Sequence, residues 1–367
     1  MNKSDILQAL EKVRYPGNGK NLVEAGIASA DDVKVDGDKV EVVLTFDKPT
    51  DPFHKSVIKA VEAAVATFVS EAAQIKGNVT ARFRQNVAPK PATPLQGVKN
   101  IIGISSGKGG VGKSTVASNL AVALAAEGYR VGLLDADIFG PSVPKMFGVE
   151  KDEIFMHRVD GRDLIIPAEK YGVKILSIGF FVDPASPVIW RGAMASNALK
   201  QLITDADWGE LDYFLIDMPP GTSDIHLTLV QTLPLTGAII VTTPQEVALA
   251  DARKGLAMFR EEKINVPVLG VVENMAWFTP ERHPDERYYI FGREGAEKLS
   301  KDFGVPVIAQ IPVTESICEG GDGGRPVALN EASVTGHAFR HLAHEVIDAV
   351  DRRNRDLPPT TAVHVGA

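Results

Sequence analysis

The segment Gly107-Lys108-Gly109-Gly110-Val111-Gly112-Lys113-Ser114-Thr115 constrains the fold of this chain more than any other segment does. An apolar run, Val98–Ser105, precedes it, and a helix-like stretch, Ser114–Ala126, follows it. A loop of the form G-x-x-x-x-G-K-[S/T] between a strand and a helix is the pattern of a phosphate cradle. Its glycines permit a tight turn of N–H groups, and the helix N-terminus favours negative charge. We therefore predict a nucleotide site in which Lys113 reaches the β- and γ-phosphates and Ser114 ligates Mg²⁺.

From residue 98 onward, apolar runs alternate with segments of helical periodicity. Continuous Val, Ile and Leu runs are typical of parallel strands that are covered on both faces. The predicted strands are Val98–Ser105, Arg130–Asp135, Val173–Ile178, Tyr213–Asp217, Gly237–Thr242, Val266–Val272 and Val307–Ile311. The predicted helices are Ser114–Ala126, Ala193–Thr204, Asp224–Thr232, Glu246–Glu262, Gly292–Lys301 and Val334–Arg353. The fold class is α/β, a P-loop NTPase with a mainly parallel sheet and helices on both faces.

The region before residue 87 has a different pattern and predicts a separate small α+β domain. Ser4–Tyr15 and His54–Ser70 have helical apolar spacing, whereas Lys39–Thr45 alternates as a half-buried strand does. The predicted domains are residues 1–86, a Pro-rich linker at 87–97, an ATPase domain at 98–353 and a flexible tail at 354–367.

Bulk composition narrows the class of protein. A net charge of −8 argues against a general nucleic-acid or anionic-membrane surface. No apolar run reaches the roughly eighteen residues that a membrane span requires, and charged residues interrupt the N-terminus, unlike a signal peptide. The single cysteine, Cys318, excludes an intramolecular disulfide and suits the cytosol. We expect a cytoplasmic protein that binds neither nucleic acid nor membrane.

Carboxylates end two of the predicted strands. Tyr213-Phe214-Leu215-Ile216-Asp217 is an apolar strand ending in an acid, the Walker B arrangement that places a carboxylate near Mg²⁺. Gly221 follows four residues later, where its N–H could sense the γ-phosphate. Leu133-Leu134-Asp135-Ala136-Asp137 adds two acids, and Asp135 and Asp137 share a side, so both can face the site. Each acid alone could equally be a turn residue at the end of a strand.

These residues match a known family. Gly107–Thr115 resembles the deviant Walker A motif, K-G-G-x-G-K-[S/T], of the ParA, MinD and nitrogenase-iron-protein group, and within it the Mrp/ApbC-type iron–sulfur cluster carrier ATPases. Residues 1–85 look like the cluster-biosynthesis-type domain that often precedes them. The other supporting stretches are Asp135–Ser142, Trp190-Arg191-Gly192, Asp217–Asp224, Thr243-Pro244-Gln245-Glu246, Ala250-Asp251 and Glu273-Asn274-Met275.

The resemblance implies a role for each matching residue. Lys108 would cross a homodimer interface to the partner's phosphates, although a second loop lysine could also be a solvated surface residue. Asp137 would position the attacking water, Asp217 would hold the magnesium shell, and Asn274 would bond the adenine edge. Lys113 completes the predicted catalytic set, since phosphoryl transfer depends mainly on positioning and electrostatic stabilisation. The implied cofactors are ATP, Mg²⁺ and an iron–sulfur cluster.

One family feature is missing. Many of these carriers have a C-x-x-C pair after the Glu273-Asn274-Met275 segment, and two pairs across a dimer can hold a four-iron cluster. Here Ala276–Glu286 contains no cysteine. Cys318, in a glycine-rich stretch that could be an exposed loop, is a candidate iron–sulfur ligand, and His283 is a weaker one. Free cysteines are also often buried as small apolar residues.

Three functions therefore remain open. The first is a carrier that binds clusters and transfers them from iron–sulfur assembly proteins to apoprotein clients, with ATP driving a homodimer switch. The second is an ATP-dependent scaffold or adaptor that does not itself hold the cluster. The third is a ParA/MinD-like positioning ATPase. The acidic residues Glu345, Asp348 and Asp351 in the last helix disfavour the basic amphipathic helix by which MinD-type proteins bind membranes.

Overall fold

The computed structural model describes residues 1–16, 19–46, 51, 53–83, 95–159, 161–182 and 192–362. The chain divides into two compact units, Met1–Ala92 and Thr93–Ala367. Most of the predicted linker, the last five residues of the predicted tail and the Trp190-Arg191 pair lie outside the described residues.

The described residues of the first unit form a three-stranded sheet and two α-helices. Its elements are α1 (Lys3–Glu11), β1 (Val33–Asp36), β2 (Lys39–Phe46), α2 (His54–Phe68) and β3 (Val79–Phe83). The central strand, β2, pairs antiparallel with β1 and parallel with β3. Alternate residues of β2 are fully or almost fully buried, namely Val40, Val42, Leu44 and Phe46. This alternation directs one face of the sheet into a core shared with the apolar sides of the two helices.

The second unit contains an eight-stranded sheet with helices on both faces. The sheet order is β13-β12-β11-β4-β10-β5-β9-β8, and all its pairings are parallel except β8 with β9. The strands of this unit are β4 (Val98–Ser105), β5 (Val131–Asp135), β6 (Met156–Val159), β7 (Arg162–Ile165), β8 (Ala168–Lys170), β9 (Val173–Ser177), β10 (Leu211–Asp217), β11 (Gly237–Thr242), β12 (Val268–Phe278) and β13 (Val307–Val313). The helices are α3 (Lys113–Ala126), α4 (Val143–Phe147), α5 (Gly192–Thr204), α6 (Asp224–Thr232), α7 (Glu246–Arg260), α8 (Gly295–Phe303), α9 (Glu315–Asp322) and α10 (Val334–Asp356).

The central strand β4 shows why this sequence needs two covering layers. Ile102 and Ile104 point into a core that includes α3 and α10, whereas Ile101 points into the opposite core, which includes α5, α6 and α7. Side chains on a strand alternate between faces, so a strand that is apolar at successive positions must be covered on both sides.

Strand register brings the predicted acids together. In the sheet, β10 lies between β4 and β5, and Asp217 is opposite both Ile104 and Asp135. The carboxyl ends of three neighbouring parallel strands therefore meet beside the loop that leads from β4 into α3.

Several boundaries differ from the sequence prediction. Strand β12 continues to Phe278 because it keeps pairing with β13 beyond Asn274. Helix α10 continues to Asp356, so the first three residues of the predicted tail are helical. The hairpin of β6 and β7, the edge strand β8 and the helix α4 were not predicted, because elements of three to five residues carry little periodicity. Among the described residues, no helix combines the length and apolarity needed to cross a membrane.

Candidate functional site

The glycine-rich loop turns tightly between β4 and α3. Gly110 and Gly112 have φ values of +81° and +80°, in the left-handed region that favours glycine. A Cβ on Gly112 would lie 2.2 Å from Nδ2 of Asn274, and one on Gly107 would lie 2.1 Å from a backbone carbon of Asp251. The loop therefore requires glycine for its backbone conformation at two positions and for close packing at two.

A cavity of about 200 Å³ opens over this loop at the start of α3. Seven of the nine predicted loop residues line it, and Gly107 and Val111 do not. Its lining residues are Ser106, Lys108, Gly109, Gly110, Gly112, Lys113, Ser114, Thr115, Asp137, Ser142, Met146 and Pro220. The exposed Lys108 and the buried Lys113 bring two positive charges to one cavity at a helix N-terminus, which is suited to a polyanion.

Lys113 connects the loop to the acids at the strand ends. It is 6% exposed, and its Nζ lies 2.5 Å from Oδ1 of Asp217, 3.3 Å from Oγ of Ser114 and 3.9 Å from Oδ2 of Asp137. The carboxylate of Asp217 is fully buried, and its Oδ2 has no hydrogen-bond partner. A buried carboxylate oxygen without a donor can accept one more interaction, including a cation with bound water.

Asp135 and Asp137 occupy different positions. Asp137 borders the cavity, whereas Asp135 is fully buried behind it. The oxygens of Asp135 accept hydrogen bonds from Asp137 N (3.1 Å), Val143 N (3.2 Å) and Ser177 Oγ (3.0 Å). Burial, and then the nearby charge of Asp217, raise the pKa of Asp135 to about 7. The expectation that both acids face the site is thus corrected: Asp137 faces it, and Asp135 holds the backbone that carries Asp137.

The segment that follows Asp217 is hydrogen-bonded to the residue just before the phosphate loop. Gly221 N donates to the carbonyl of Ser106 at 2.8 Å, so this N–H is engaged within the chain. His226, 1% exposed, lies near Oγ of Ser105 and accepts at Nδ1 from Ser223 N at 3.2 Å. Burial lowers the pKa of His226 to about 4, which leaves the imidazole neutral near pH 7.

Asn274 also contacts the loop. Its Nδ2 donates to the carbonyl of Val111 at 2.8 Å, and the side chain is 5% exposed. The next residue, Met275, has a φ of +55° within β12, a conformation that costs energy for a residue with a Cβ. The structure thus places Asn274 as a support of the loop that adjoins the phosphate cavity.

The donor groups of the cavity fit a nucleotide's phosphates with a divalent cation. Mg²⁺ at nucleotide sites is held by one or two protein oxygens together with phosphates and water. Ser114 Oγ and the unpartnered Oδ2 of Asp217 are oxygens of this kind, and the glycines leave room for phosphates at the loop backbone.

The candidate cluster ligands do not form a ligand set within one chain. In the part of the chain that the structure describes, no group of three or more His, Cys, Asp or Glu side chains could hold a metal ion. Cys318 is exposed, as expected, but it lies on α9 and not in a loop. Oε1 of Glu281 accepts a hydrogen bond from the N–H of Ser316 in the first turn of α9 at 3.0 Å, a long-range contact that sequence periodicity cannot reveal. His283 is exposed beside Glu286.

Four cavity residues were not among the predicted site residues, namely Ser106, Ser142, Met146 and Pro220. Only their proximity to the glycine-rich and acidic motifs could have indicated them, since small polar residues and single apolar residues are common in any loop.

Comparisons with known proteins agree with this geometry. A family model described as NUBPL iron-transfer P-loop NTPase, named ParA, matches residues 97–347, and one described as iron-sulfur cluster assembly protein matches residues 3–76. The chain is 42% identical to an iron-sulfur cluster carrier protein of Synechocystis over 94% of this chain and 97% of that protein. It is 44% identical to the mouse iron-sulfur cluster transfer protein NUBPL over 69% of this chain and 78% of the mouse protein.

Solved structures confirm the predicted fold class. A nucleotide-binding protein from Archaeoglobus fulgidus in complex with ADP has a TM-score of 0.54 at 39% identity, over 63% of this chain and 89% of that one. The septum site-determining protein MinD of Pyrococcus horikoshii, complexed with Mg-ADP, has a TM-score of 0.50 at 25% identity, over 70% of this chain and 99% of that one.

Proposed function

Since this chain belongs to the NUBPL iron-transfer P-loop NTPase family, we propose that it is an iron–sulfur cluster carrier that binds and hydrolyses ATP. Clusters would come from iron–sulfur assembly proteins and pass to apoproteins. The observation that carries the ATPase part is the contact of Lys113 with Asp217 and Ser114 at the floor of the phosphate cavity. The carrier part is supported by the relatives from Synechocystis and Aquifex aeolicus, both named iron-sulfur cluster carrier protein, which match this chain over almost its whole length.

The charged and polar residues in and beside the cavity have distinct roles in this proposal. Lys113 would leave Asp217 and pair with the β- and γ-phosphates, and Ser114 and Asp217 would hold a Mg²⁺ ion that supplies charge neutralisation of the phosphates. Asp137, at the cavity edge, orients the attacking water. Lys108, exposed at the mouth, reaches the phosphates bound by a second copy of the chain. Asn274 fixes the loop and borders the base.

The cluster is cargo in this proposal, and the chain supplies few ligands for it. Soft thiolates are the usual ligands of iron–sulfur iron. Each chain carries the single exposed thiol of Cys318, so a homodimer offers two, and a donor or client protein would supply the others.

A scaffold or adaptor is the second candidate, and one observation favours it. The segment 276–286 contains no cysteine, so the chain lacks the usual thiolate pair, whereas its nucleotide-binding motifs are present. A MinD-like membrane role has less support, because the apolar side of α10 is buried in its own unit through Phe339, Leu342, Val346 and Val350.

Anaerobic reconstitution with iron and sulfide separates the two candidates. Visible absorption and bound iron per dimer are measured for the native chain, for Cys318→Ala and for Ser316→Ala, a control at a half-buried serine on the same helix. A carrier that uses Cys318 forms a cluster in the native chain and in the control, and loses it in Cys318→Ala. No cluster in the native chain, with ATP hydrolysis intact, would favour the scaffold or a carrier whose remaining thiolates come from a partner protein.

A further inference from the structure

A larger cavity lies at the amino-terminal ends of the strands of the eight-stranded sheet, opposite the end that carries the phosphate loop. Its volume is about 580 Å³, within the usual range for small-molecule sites. It lies beside the segments that lead into β11 and β12, where the parallel strands begin. Ten of its sixteen lining residues are apolar or proline, including Val230, Leu233, Leu235, Ile264, Val266 and Leu357, and the other six are polar or charged.

One buried cation faces this cavity. Arg353, in the last turn of α10, is 9% exposed. Its Nη1 donates to Asn354 Oδ1 at 3.1 Å, and its Nη2 donates to the carbonyl of Pro358 at 2.7 Å and to Thr360 Oγ1 at 3.3 Å. Its Nε is buried and has no acceptor. All three acceptors are neutral, and no carboxylate among the described residues forms an ion pair with it.

An uncompensated buried charge is unusual, because such charges are normally paired. Burial lowers the pKa of the Arg353 guanidinium, yet arginine stays protonated in proteins. The carboxyl end of α10 offers only a partial negative charge. At the rim of the cavity, Glu262 and Lys263 are exposed and offset each other. Arg353 therefore gives the cavity a net positive charge.

We propose that this cavity binds a small organic carboxylate, with its charged group at Arg353 and its apolar body against the walls. A guanidinium matches a carboxylate in charge and in hydrogen-bond geometry. The apolar lining favours a ligand with a hydrocarbon part over a bare ion. Arg353, Pro359 and Thr360 also line a smaller cavity of about 280 Å³. The segment at the C-terminal end of α10 thus forms one wall of the site.

Calorimetric titration of the full chain with octanoate tests this site. Acetate, which has the charge without the hydrocarbon, and 1-octanol, which has the hydrocarbon without the charge, are the ligand controls. Octanoate is expected to bind at least about tenfold more tightly than either. Arg353→Met should weaken octanoate binding by roughly 10- to 100-fold, the worth of a charged hydrogen bond. The neighbouring exposed arginine gives the matched control, Arg352→Met, which should bind octanoate as the native chain does.

Ile264→Phe keeps the guanidinium but narrows the cavity, so it should also weaken octanoate binding. If Arg353→Met does not fold, the affinity of Ile264→Phe for octanoate tests the proposal. The proposal is overturned if the native chain does not bind octanoate. It is also overturned if acetate or 1-octanol binds equally well, or if folded Arg353→Met or Ile264→Phe binds octanoate with native affinity.

Discussion

Charge at the phosphate loop depends on one buried lysine. Lys113 contacts Asp217 and Asp137 directly, and its charge also acts on the buried Asp135. Three acids thus share one cation in a region where water is largely excluded, which strengthens each interaction. ATP would bring further negative charge to the same lysine, while Mg²⁺ would take over part of its role at Asp217.

Lys113→Ala is expected to weaken ATP binding by roughly 10- to 100-fold or more, since the phosphates lose a charge-assisted contact. Fluorescence anisotropy with a labelled ATP analogue at fixed Mg²⁺ measures this change. Lys254→Ala removes an exposed lysine paired with Asp251 and should leave the affinity unchanged. Native ATP affinity in folded Lys113→Ala would remove the phosphate-loop assignment.

Asp135 makes a contribution to the free energy of unfolding that depends on pH. Its pKa is about 7 in the native state and near 3.8 when unfolded. Between these values the native state binds a proton that the unfolded state releases, so this term lowers the free energy of unfolding as the pH rises. Asp135→Asn removes the term, so the stability of the variant relative to the native chain should increase from pH 4 to pH 7.

Urea unfolding across this pH range measures the difference. His226 contributes the opposite slope, because its pKa is lowered to about 4 from an ordinary 6.5, but it is present in both proteins and cancels. Asp152→Asn, at an exposed acid, should show no such trend. A pH-independent difference between Asp135→Asn and the native chain would mean that Asp135 stays ionised.

At the residue scale, the sequence predicted which acids lie close together but not which of them faces the cavity and which is buried behind it. Spacing placed both acids at the end of the same strand, but the expectation that Asp135 and Asp137 both face the cavity was wrong. The burial of Asp135 was not predicted, because it depends on Ser177, 42 positions away in the chain, and on Val143, the first residue of the short helix α4.

At the scale of elements, α3 and β12 are joined at the phosphate loop. Gly112, just before α3, lies against Asn274 of β12, while Gly110 has the same left-handed conformation with nothing near its Cβ position. Comparing substitutions at the two glycines therefore distinguishes the effect of backbone strain from the effect of a steric clash.

Both Gly110→Ala and Gly112→Ala should lower the free energy of unfolding by about 1–2 kcal/mol through left-handed strain. Gly112→Ala should cost more, because its methyl displaces the Asn274 amide. In an Asn274→Ala background, the cost of Gly112→Ala should fall while that of Gly110→Ala stays the same. Urea denaturation of these variants forms a double-mutant cycle. Equal costs of Gly112→Ala in both backgrounds would exclude the contact.

The sequence predicts long, fully buried elements better than short elements that depend on distant contacts. Long apolar strands such as β4 and β10 have only one stable environment, the middle of a covered sheet, so their positions are readable. Helix α9 contains two adjacent glycines and depends on Glu281, which lies more than thirty positions away. Short elements of this kind are fixed by tertiary contacts, which spacing along the chain does not encode.

At the scale of the whole molecule, the proposed ATP switch requires two chains. Lys108→Ala should change ATP affinity by less than about fivefold, since an exposed charge contributes little within one chain. It should abolish ATP-dependent dimerisation, measured by sedimentation velocity, and with it hydrolysis. Lys145→Ala, another exposed lysine, should preserve both. A Lys108→Ala monomer that hydrolyses ATP at the native rate would exclude the role across the interface.

The two units also have separate cores, which predicts that they fold independently. The core of the first unit comprises residues between Ile6 and Val79, and every residue of the phosphate cavity lies between Ser106 and Pro220. A chain of residues 93–367 should therefore bind ATP with a free energy within about 0.5 kcal/mol of the full chain, as for uncoupled sites. Residues 1–92 alone should unfold in one cooperative transition. Anisotropy and thermal unfolding measure the two quantities. Loss of ATP binding in folded 93–367 would instead show that the first unit takes part in the nucleotide site.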